Sequence, residues 1–203
     1  MNMLYLGLDP PPGVFHYPVI ATERLDTPLL LDAIARLNEF THLIFTSKRA
    51  VLHWGESSEF VPVCVAIGEG TARVLRTKGK EPLVAQEAIQ EGVAILVEQI
   101  LLENPNSSFL YPHSLQARSF LREFLHSKGV KFLAFPLYRT LLIRKEPVPN
   151  PLDFEEVFFT SPSTVDGFLQ IFGSLPQGPR LKAIGPVTEA YLNLCLGKSL
   201  FNI

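Results

Sequence analysis

The feature that most constrains the fold of this chain is a two-part motif that occurs twice. The first part is an apolar run ending in Phe-Thr-Ser, found at Ile44–Ser47 and at Phe158–Ser161. The second part is Ile-Gly-x-x-Thr, found at Ile67–Thr71 and at Ile184–Thr188. In every copy a strand-like apolar run passes through small residues into a helix-like pattern, which is the order typical of α/β folds. The repeat therefore predicts two related α/β units.

The helices between these motifs have recognisable starts, stops and faces. Thr27 followed by Pro28 is typical of a helix N-terminus, and Gly79 and Gly129 are typical of the left-handed position that closes a helix. The spacing of apolar residues predicts which face of a helix is buried. We expect the first helix to bury Leu30, Ile34 and Leu37, and the last to bury Val187, Tyr191 and Leu194.

Composition narrows the class of protein. The 203 residues are 47% hydrophobic and 19% charged, with a net charge of -2, which is typical of a globular chain and lacks the basic footprint of a nucleic-acid-binding protein. The N-terminal run lacks the cationic start of a signal peptide and is too short to span a membrane. We therefore expect a cytoplasmic protein that binds neither nucleic acid nor membrane.

The sequence lacks the known catalytic and cofactor-binding motifs considered below. The five histidines and two cysteines show no metal-ligand spacing, so no metal site is expected. Gly68 and Gly70 make only Gly-Glu-Gly and not a full dinucleotide-binding loop, and no phosphate-binding loop of the Walker type occurs. Ser161 lies in Thr-Ser-Pro-Ser-Thr, which is not the nucleophile motif Gly-x-Ser-x-Gly.

The repeated motif itself predicts a ligand site. Ligands of open α/β sheets bind beyond the carboxyl ends of the strands, where helix N-termini favour anions. The four junctions at Ser47, Gly68, Ser161 and Gly185 each place a helix N-terminus at such a position. A serine at a helix start is usually only a cap, so a purely structural role remains open. Local cations near the junctions are Lys48, Arg49, Arg118, Arg139 and Lys182.

The order and spacing of these phrases resemble one family, the uroporphyrinogen-III synthases, from about Pro18 to Leu192. The resemblance rests on "FTHLIFTSKRAV", "VAIGEGTARVL", "LYRT", "EEVFFTSPSTVDGF" and "LKAIGPVTEAYL" taken together. It implies two α/β lobes, each with a parallel sheet flanked by helices, joined by two extended connectors around a ligand cleft. Lobe one would combine residues 1–20 and 146–203 and be reduced in size, lobe two would span 25–136, and the connectors would lie near 18–25 and 137–145.

The family also implies a reaction. Its substrate, hydroxymethylbilane, is a linear tetrapyrrole with eight carboxylates. The enzyme removes the terminal hydroxyl, inverts the last pyrrole ring through a spiro intermediate and closes the macrocycle as uroporphyrinogen III, without a cofactor or a metal. The resemblance further implies a monomer that makes at most transient contact with the enzyme supplying the substrate. A non-catalytic two-lobed module that binds or senses an anionic small molecule is the alternative reading.

Matching the family's motifs residue by residue suggests a site. Tyr138, in "LYRT", matches the tyrosine proposed to protonate the leaving hydroxyl, and Thr71 and Thr188 match the threonines after the Ile-Gly turn. The sequence departs from the family pattern at Val187 and at the pair His113 and Ser114. The expected substrate-binding residues are Ser47, Lys48, Gly68, Thr71, Ser161, Ser163, Gly185 and Thr188.

Overall fold

A computed structural model describes residues 2–55 and 62–197. The strands within these ranges are β1 (Met3–Tyr5), β2 (Phe15–His16), β3 (Ile20–Arg24), β4 (His42–Phe45), β5 (Val63–Ala66), β6 (Leu83–Val84), β7 (Phe109–Ser114), β8 (Phe132–Leu142), β9 (Glu156–Phe159) and β10 (Arg180–Ala183). The helices are α1 (Pro28–Ala35), α2 (Lys48–Trp54), α3 (Glu69–Thr77), α4 (Gln90–Glu103), α5 (Phe120–Ser127), α6 (Pro162–Phe172) and α7 (Pro186–Cys195), with short 3-10 turns at Leu37–Glu39 and Pro151–Asp153.

The chain forms two compact units. Unit 1 comprises the described parts of Met1–Thr22 and Thr140–Ile203, and unit 2 comprises those of Glu23–Arg139. Unit 1 contains a four-stranded sheet in the order β10-β9-β1-β2, whose strand pairs are parallel. The six-stranded sheet has the order β3-β8-β7-β4-β5-β6, with parallel pairing from β8 to β6. The predicted fold class, α/β with parallel sheets flanked by helices, is confirmed.

The chain passes from one unit to the other twice, and both passages lie in extended strands. The first boundary, between Thr22 and Glu23, falls within β3, and the second, between Arg139 and Thr140, falls within β8. β3 and β8 are neighbours at one edge of the six-stranded sheet. The two ends of the contiguous unit 2 therefore lie side by side.

The central strands of unit 2 are buried on both faces, which explains why they read as continuous apolar runs. Leu43 and Phe45 point into the core that contains α1, α2 and α3, while Ile44 between them points into the core under α4 and α5. Val65 on β5 follows the same alternation as Ile44. Unit 1 has its own core, formed around Leu4, Leu6, Val19, Val157, Phe159, Val165 and Phe168.

The predicted helix ends agree with the structure. Thr27 Oγ1 accepts a hydrogen bond from the Leu30 N–H at 3.3 Å, and Pro28 is the first residue of α1. Gly79 and Gly129 have φ angles of 73° and 64°, which lie in the left-handed region that glycine adopts without strain. These boundaries were set by local chemistry, so local sequence was sufficient to find them.

Two predicted helix faces are only partly right: Leu30, Leu37 and Tyr191 pack in the cores as predicted, and the other three residues do not. Ile34 on α1 is 44% exposed, and Ala33 is buried in its place. On α7, Val187 and Leu194 are 55% and 60% exposed, whereas Leu192 is buried against the sheet of unit 1. Both helices carry more apolar residues than one face can hold. The packing of the helix on its sheet therefore chooses the buried stripe, and the apolar spacing alone does not.

Among the described residues, every helix is too short or too polar to cross a lipid bilayer.

Candidate functional site

Ser47 and Ser161 occupy equivalent positions in the two units. Each is the N-cap of the helix that follows its strand, with φ and ψ of -163° and 154° at Ser47 and of -167° and 162° at Ser161. Ser47 Oγ accepts a hydrogen bond from the Ala50 N–H at 3.0 Å, and Ser161 Oγ accepts one from the Thr164 N–H at 3.3 Å. The sequence repeat is therefore a repeat of backbone geometry as well.

Gly68 and Gly185 also match in geometry, but their surroundings differ. Both are extended N-caps, of α3 and α7, with φ of 177° and -175°. A Cβ atom on Gly68 would lie 2.8 Å from the Cβ of Ala88, so a close approach excludes any side chain there. A Cβ atom on Gly185 would meet nothing within 4 Å. The space beside Gly185 is open, and the packing of unit 1 does not fill it.

Each unit brings its two motif parts to adjacent strands. Ser47 and Gly68 follow β4 and β5, which pair in register, and Ser161 and Gly185 follow β9 and β10, which also pair. Because these strands are parallel, both junctions of a unit lie at the same edge of its sheet. This is the arrangement that the repeat predicted within each unit.

The helix N-termini of unit 1 offer fewer donors than those of unit 2. α6 and α7 both begin with proline, at Pro162 and Pro186, which has no backbone N–H. Thr164 Oγ1 in addition accepts a hydrogen bond from the Ser161 N–H at 3.1 Å, which completes a capping box. Recognition of an anion in unit 1 therefore depends more on hydroxyl groups such as that of the half-buried Ser163.

Tyr138 lies at the centre of a polar cluster in unit 2. It is 6% exposed, and its hydroxyl shares a hydrogen bond of 2.8 Å with Ser47 Oγ. The imidazole ring of His53, on α2, stacks on the Tyr138 ring with a centroid distance of 5.3 Å and an interplanar angle of 22°. The first repeat motif and the predicted acid are therefore brought together, and the Ser47 hydroxyl is already engaged at both the helix end and the phenol.

The environment of the Tyr138 hydroxyl has opposing electrostatic effects. Burial raises the pKa of Tyr138 above its usual value, while hydrogen bonds with Ser47 and Ser114 and the charge of Arg49 act to lower it. Burial is the larger effect. Tyr138 is consequently a neutral phenol at physiological pH, and its neighbours are donors and a cation that stabilise the phenolate once a proton has left.

Strand β7 supplies further members of the cluster that were not selected from the sequence. The hydroxyls of Tyr111 and Thr46 lie 3.3 Å apart, and the ring centroids of Tyr111 and His113 lie 5.0 Å apart. His113 Nδ1 lies 2.8 Å from the Ser114 carbonyl oxygen, and burial lowers the pKa of His113. The pairing of β7 with β8 shifts register between His113 and Ser114, which places Ser114 opposite Tyr138.

A positional rule could have identified part of this group. Thr46 and Ser114 lie at the carboxyl ends of the neighbouring strands β4 and β7, where ligands of parallel sheets bind. The register shift that brings Ser114 to Tyr138 has no signal in the sequence.

The other predicted site residues differ in exposure. Thr71 and Thr188, in the first turns of α3 and α7, are each only 4% exposed, whereas Lys48 is exposed at the start of α2.

Three of the five cations considered from the sequence already pair with carboxylates: Arg118 with Glu91, Arg139 with Glu23 and Lys182 with Glu156. The ion pairs of Arg118 and Arg139 lie at the surface, where such pairs are weak and an incoming carboxylate can replace them.

Across residues 2–55 and 62–197, no group of three or more histidine, cysteine, aspartate or glutamate side chains has the arrangement of a metal site.

Comparisons with known proteins relate this geometry to one family. The family model described as uroporphyrinogen-III synthase HemD matches residues 13–196. A search of curated protein sequences found no significant match. The structure of uroporphyrinogen-III synthetase from Helicobacter pylori is similar with a TM-score of 0.71 and 20% identity, over 98% of this chain and 94% of that one. A mutant uroporphyrinogen III synthase from Thermus thermophilus gives a TM-score of 0.62 and 17% identity, over 95% and 88% of the two chains.

Proposed function

The chain belongs to the uroporphyrinogen-III synthase family, whose members are lyases of haem biosynthesis, and we propose that Tyr138 is the acid of its reaction. In this proposal the chain converts hydroxymethylbilane to uroporphyrinogen III. One observation carries the assignment: the Tyr138 hydroxyl is held 2.8 Å from the N-cap hydroxyl of α2, at the strand edge where both junctions of unit 2 lie. No feature of the described residues favours the non-catalytic binding module.

The proposed proton transfers balance over the whole reaction. The nitrogen of the pyrrole ring that bears the hydroxymethyl group donates electrons toward the hydroxymethyl carbon, the C–O bond breaks, and the Tyr138 proton goes to the leaving oxygen to form water. This leaves a cationic azafulvene and a phenolate. The substituted α-carbon of the last ring then attacks the azafulvene carbon to form the spiro intermediate, and the older bond from that substituted carbon to its bridge breaks. The released bridge carbon bonds to the unsubstituted α-carbon of the inverted ring, which loses its proton, and the phenolate takes that proton back. The net change is the loss of one water molecule.

The neighbours of Tyr138 suit both states of the phenol. In the resting state the Ser47 oxygen accepts from the Ala50 N–H and keeps a second lone pair and its own proton for Tyr138. When the phenolate forms, the Ser47 hydroxyl can donate to it and the Arg49 charge stabilises it. The Ser114 hydroxyl donates to Gln116 Oε1 at 2.9 Å and must leave that acceptor before it can donate to the phenolate. The stacked His53 fixes the plane of the phenol ring. Positioning of this kind raises rate without a cofactor.

Recognition of the substrate carboxylates is assigned to the four helix N-termini. Their backbone dipoles and hydroxyls replace the broad cationic surface that a chain of net charge -2 lacks. Because the Ser47 hydroxyl is engaged by Tyr138, its junction is expected to bind through the backbone and Lys48. The open space beside Gly185 is where we place one carboxylate of unit 1. The remaining contacts are assigned to Gly68, Thr71, Ser161, Ser163 and Thr188.

The test is Tyr138→Phe, which removes the hydroxyl and keeps the ring that stacks on His53. We expect the rate of enzymatic ring closure to fall 10²- to 10⁴-fold, about the contribution of a general acid. Products are measured as the ratio of uroporphyrinogen III to the spontaneous isomer I. Tyr191→Phe is the matched control, because that tyrosine donates to Asp166 in unit 1 and has no assigned role. An unchanged rate in Tyr138→Phe would remove Tyr138 from the mechanism.

The state of assembly is a separate proposal. We expect the chain to act as a monomer in the cytoplasm and to contact the enzyme that supplies hydroxymethylbilane only transiently. Sedimentation velocity of the purified chain, alone and mixed with that enzyme, measures both. A stable dimer or a stable complex would contradict this expectation.

A further inference from the structure

Unit 2 contains a cavity of about 230 Å³ between helices α2 and α3 and the sheet. It is separate from the Tyr138 cluster, since Trp54 and Gly55 line it at the C-terminal end of α2 while Ser47 caps the opposite end. Its buried lining is mainly apolar and its exposed lining is polar. The lining residues among those that the structure describes are Leu43, Phe45, Val51, Trp54, Gly55, Cys64, Leu75, Thr77, Lys78 and Lys80.

Trp54, which lines this cavity, carries an unused hydrogen-bond donor. Trp54 is 7% exposed, and its Nε1 is buried without a hydrogen-bond partner in the described part of the chain. The indole ring packs in a fixed orientation against Phe45 and Phe135, with centroid distances of 6.5 and 6.3 Å. A buried N–H without an acceptor is costly, and most such groups in folded proteins have a partner. The indole N–H therefore lacks an acceptor among the described residues, and a ligand that supplies one must displace the atoms that now cover this nitrogen.

The exposed side of the cavity is cationic. Lys78 and Lys80 follow the end of α3, and neither ammonium group forms an ion pair with a carboxylate in residues 2–55 and 62–197. The Lys80 charge reaches the cavity wall, where it acts on the thiol of Cys64. Between this side and Trp54 the walls are the buried side chains of Val51, Leu75 and Cys64. The cavity thus presents a donor, an apolar middle and two positive charges.

We propose that this cavity binds a small aryl or alkyl carboxylate that carries a second hydrogen-bond acceptor on its apolar body. The acceptor takes the Trp54 N–H, the apolar body lies against Val51 and Leu75, and the carboxylate faces Lys78 and Lys80. A molecule of about a dozen non-hydrogen atoms has the size that the volume allows. Hydroxymethylbilane is far larger than the cavity, so this ligand is not the substrate of the proposed reaction.

Trp54 is the only tryptophan of the chain and gives one indole N–H resonance, which serves as the probe. The test ligand is 4-oxo-4-phenylbutanoate, titrated into the full ¹⁵N-labelled chain. We expect saturable binding and a downfield shift of the indole proton, as a new hydrogen bond produces. Two matched ligands separate the contacts: 4-phenylbutanoate lacks the ketone and should bind without that downfield shift, and butyrophenone lacks the carboxylate and should bind about tenfold more weakly.

Variants of Lys78, which is exposed, and of Lys80, which is half-buried, test the charge assignment. Lys78→Ala combined with Lys80→Ala should weaken 4-oxo-4-phenylbutanoate about tenfold and leave butyrophenone unchanged. Lys131→Ala, an exposed lysine of unit 2 outside the lining, should change neither. The proposal would be overturned if the indole resonance showed no saturable shift. It would also be overturned if the double lysine variant bound 4-oxo-4-phenylbutanoate with unchanged affinity. Because the readout does not use ring closure, its failure is distinct from a failure of the Tyr138 mechanism.

Discussion

Replacing Ser47 by alanine removes two hydrogen bonds that have different consequences. The Ser47 oxygen accepts from the Ala50 N–H and thereby caps α2, and its hydroxyl also pairs with the hydroxyl of the buried Tyr138. Loss of an N-cap hydroxyl costs about 1 kcal/mol. Loss of the partner of a buried phenol costs about another 1 kcal/mol, at the low end of the range because Ser114 remains close enough to bond it. We therefore expect Ser47→Ala to lower the free energy of unfolding by about 2 kcal/mol.

A double-mutant cycle separates the two parts. In the Tyr138→Phe background no phenol hydroxyl remains, so Ser47→Ala should cost only the cap, about 1 kcal/mol. The coupling energy between the two positions is thus expected to be about 1 kcal/mol. Ser161→Ala is the control, since it removes an equivalent cap in unit 1 that has no tyrosine partner and should cost about 1 kcal/mol in any background.

Urea unfolding gives these energies. Trp54, the single tryptophan, lies in unit 2, and its fluorescence reports the unfolding of the unit that contains Ser47 and Tyr138. Ser47→Thr keeps a capping hydroxyl and should restore most of the lost stability and activity. Additive effects of Ser47→Ala and Tyr138→Phe would show that the 2.8 Å contact has no energetic role, and would refute the argument that Ser47 positions the acid.

Three other predictions follow from packing and from protonation. Gly68→Ala places its new Cβ 2.8 Å from the Cβ of Ala88, so it should lower the free energy of unfolding by about 1–3 kcal/mol. The new Cβ of Gly185→Ala meets nothing within 4 Å, so this variant should leave the melting temperature unchanged. It should raise the KM if a substrate carboxylate uses that space. Because burial raises the pKa of Tyr138 above 10, ring closure should hold its rate until about pH 10 and decline above that, a decline that Tyr138→Phe should lack in rate-pH profiles. Burial lowers the pKa of three unit 2 histidines below 6.5, namely His42, His53 and His113. Below that pH the unfolded chain therefore binds protons that the native chain does not. The urea midpoint should fall as the pH decreases from 6.5 and stay constant above it.

Local chemistry made part of the fold predictable from the sequence. The caps at Thr27, Ser47 and Ser161 and the closing glycines depend on residues within one helical turn, and all of them are found where expected. The buried face of α7 depends instead on how the helix packs on a sheet whose strands come from both ends of the chain. Sequence spacing predicted Leu194 for that face, whereas the packed unit buries Leu192.

The candidate site was likewise predictable from the sequence only in part. Ser47 and Tyr138 were each selected from the sequence, but their direct contact joins positions that are distant in the chain and required the folded sheet. Tyr111 and Ser114 were missed as site residues because their approach to Thr46 and Tyr138 depends on strand order and on the register shift in β7. The lobe boundaries, the substrate contacts assigned to both units and the catalytic role of Tyr138 remain predictions.

The path of the chain through unit 1 sets the order in which the protein can be built during synthesis. β1 leaves the ribosome before unit 2, yet its neighbour β9 is made only after the whole of unit 2, so Leu4 and Leu6 have no β9 to pack against until then. Unit 2 is contiguous and can fold in the meantime. Since β3 and β8 are adjacent, its folding brings the two segments of unit 1 together and removes most of the loop-closure entropy that their pairing would otherwise cost. A mutation that slows folding in unit 2 therefore delays unit 1 as well, whereas a slow unit 1 leaves the folding of unit 2 unaffected.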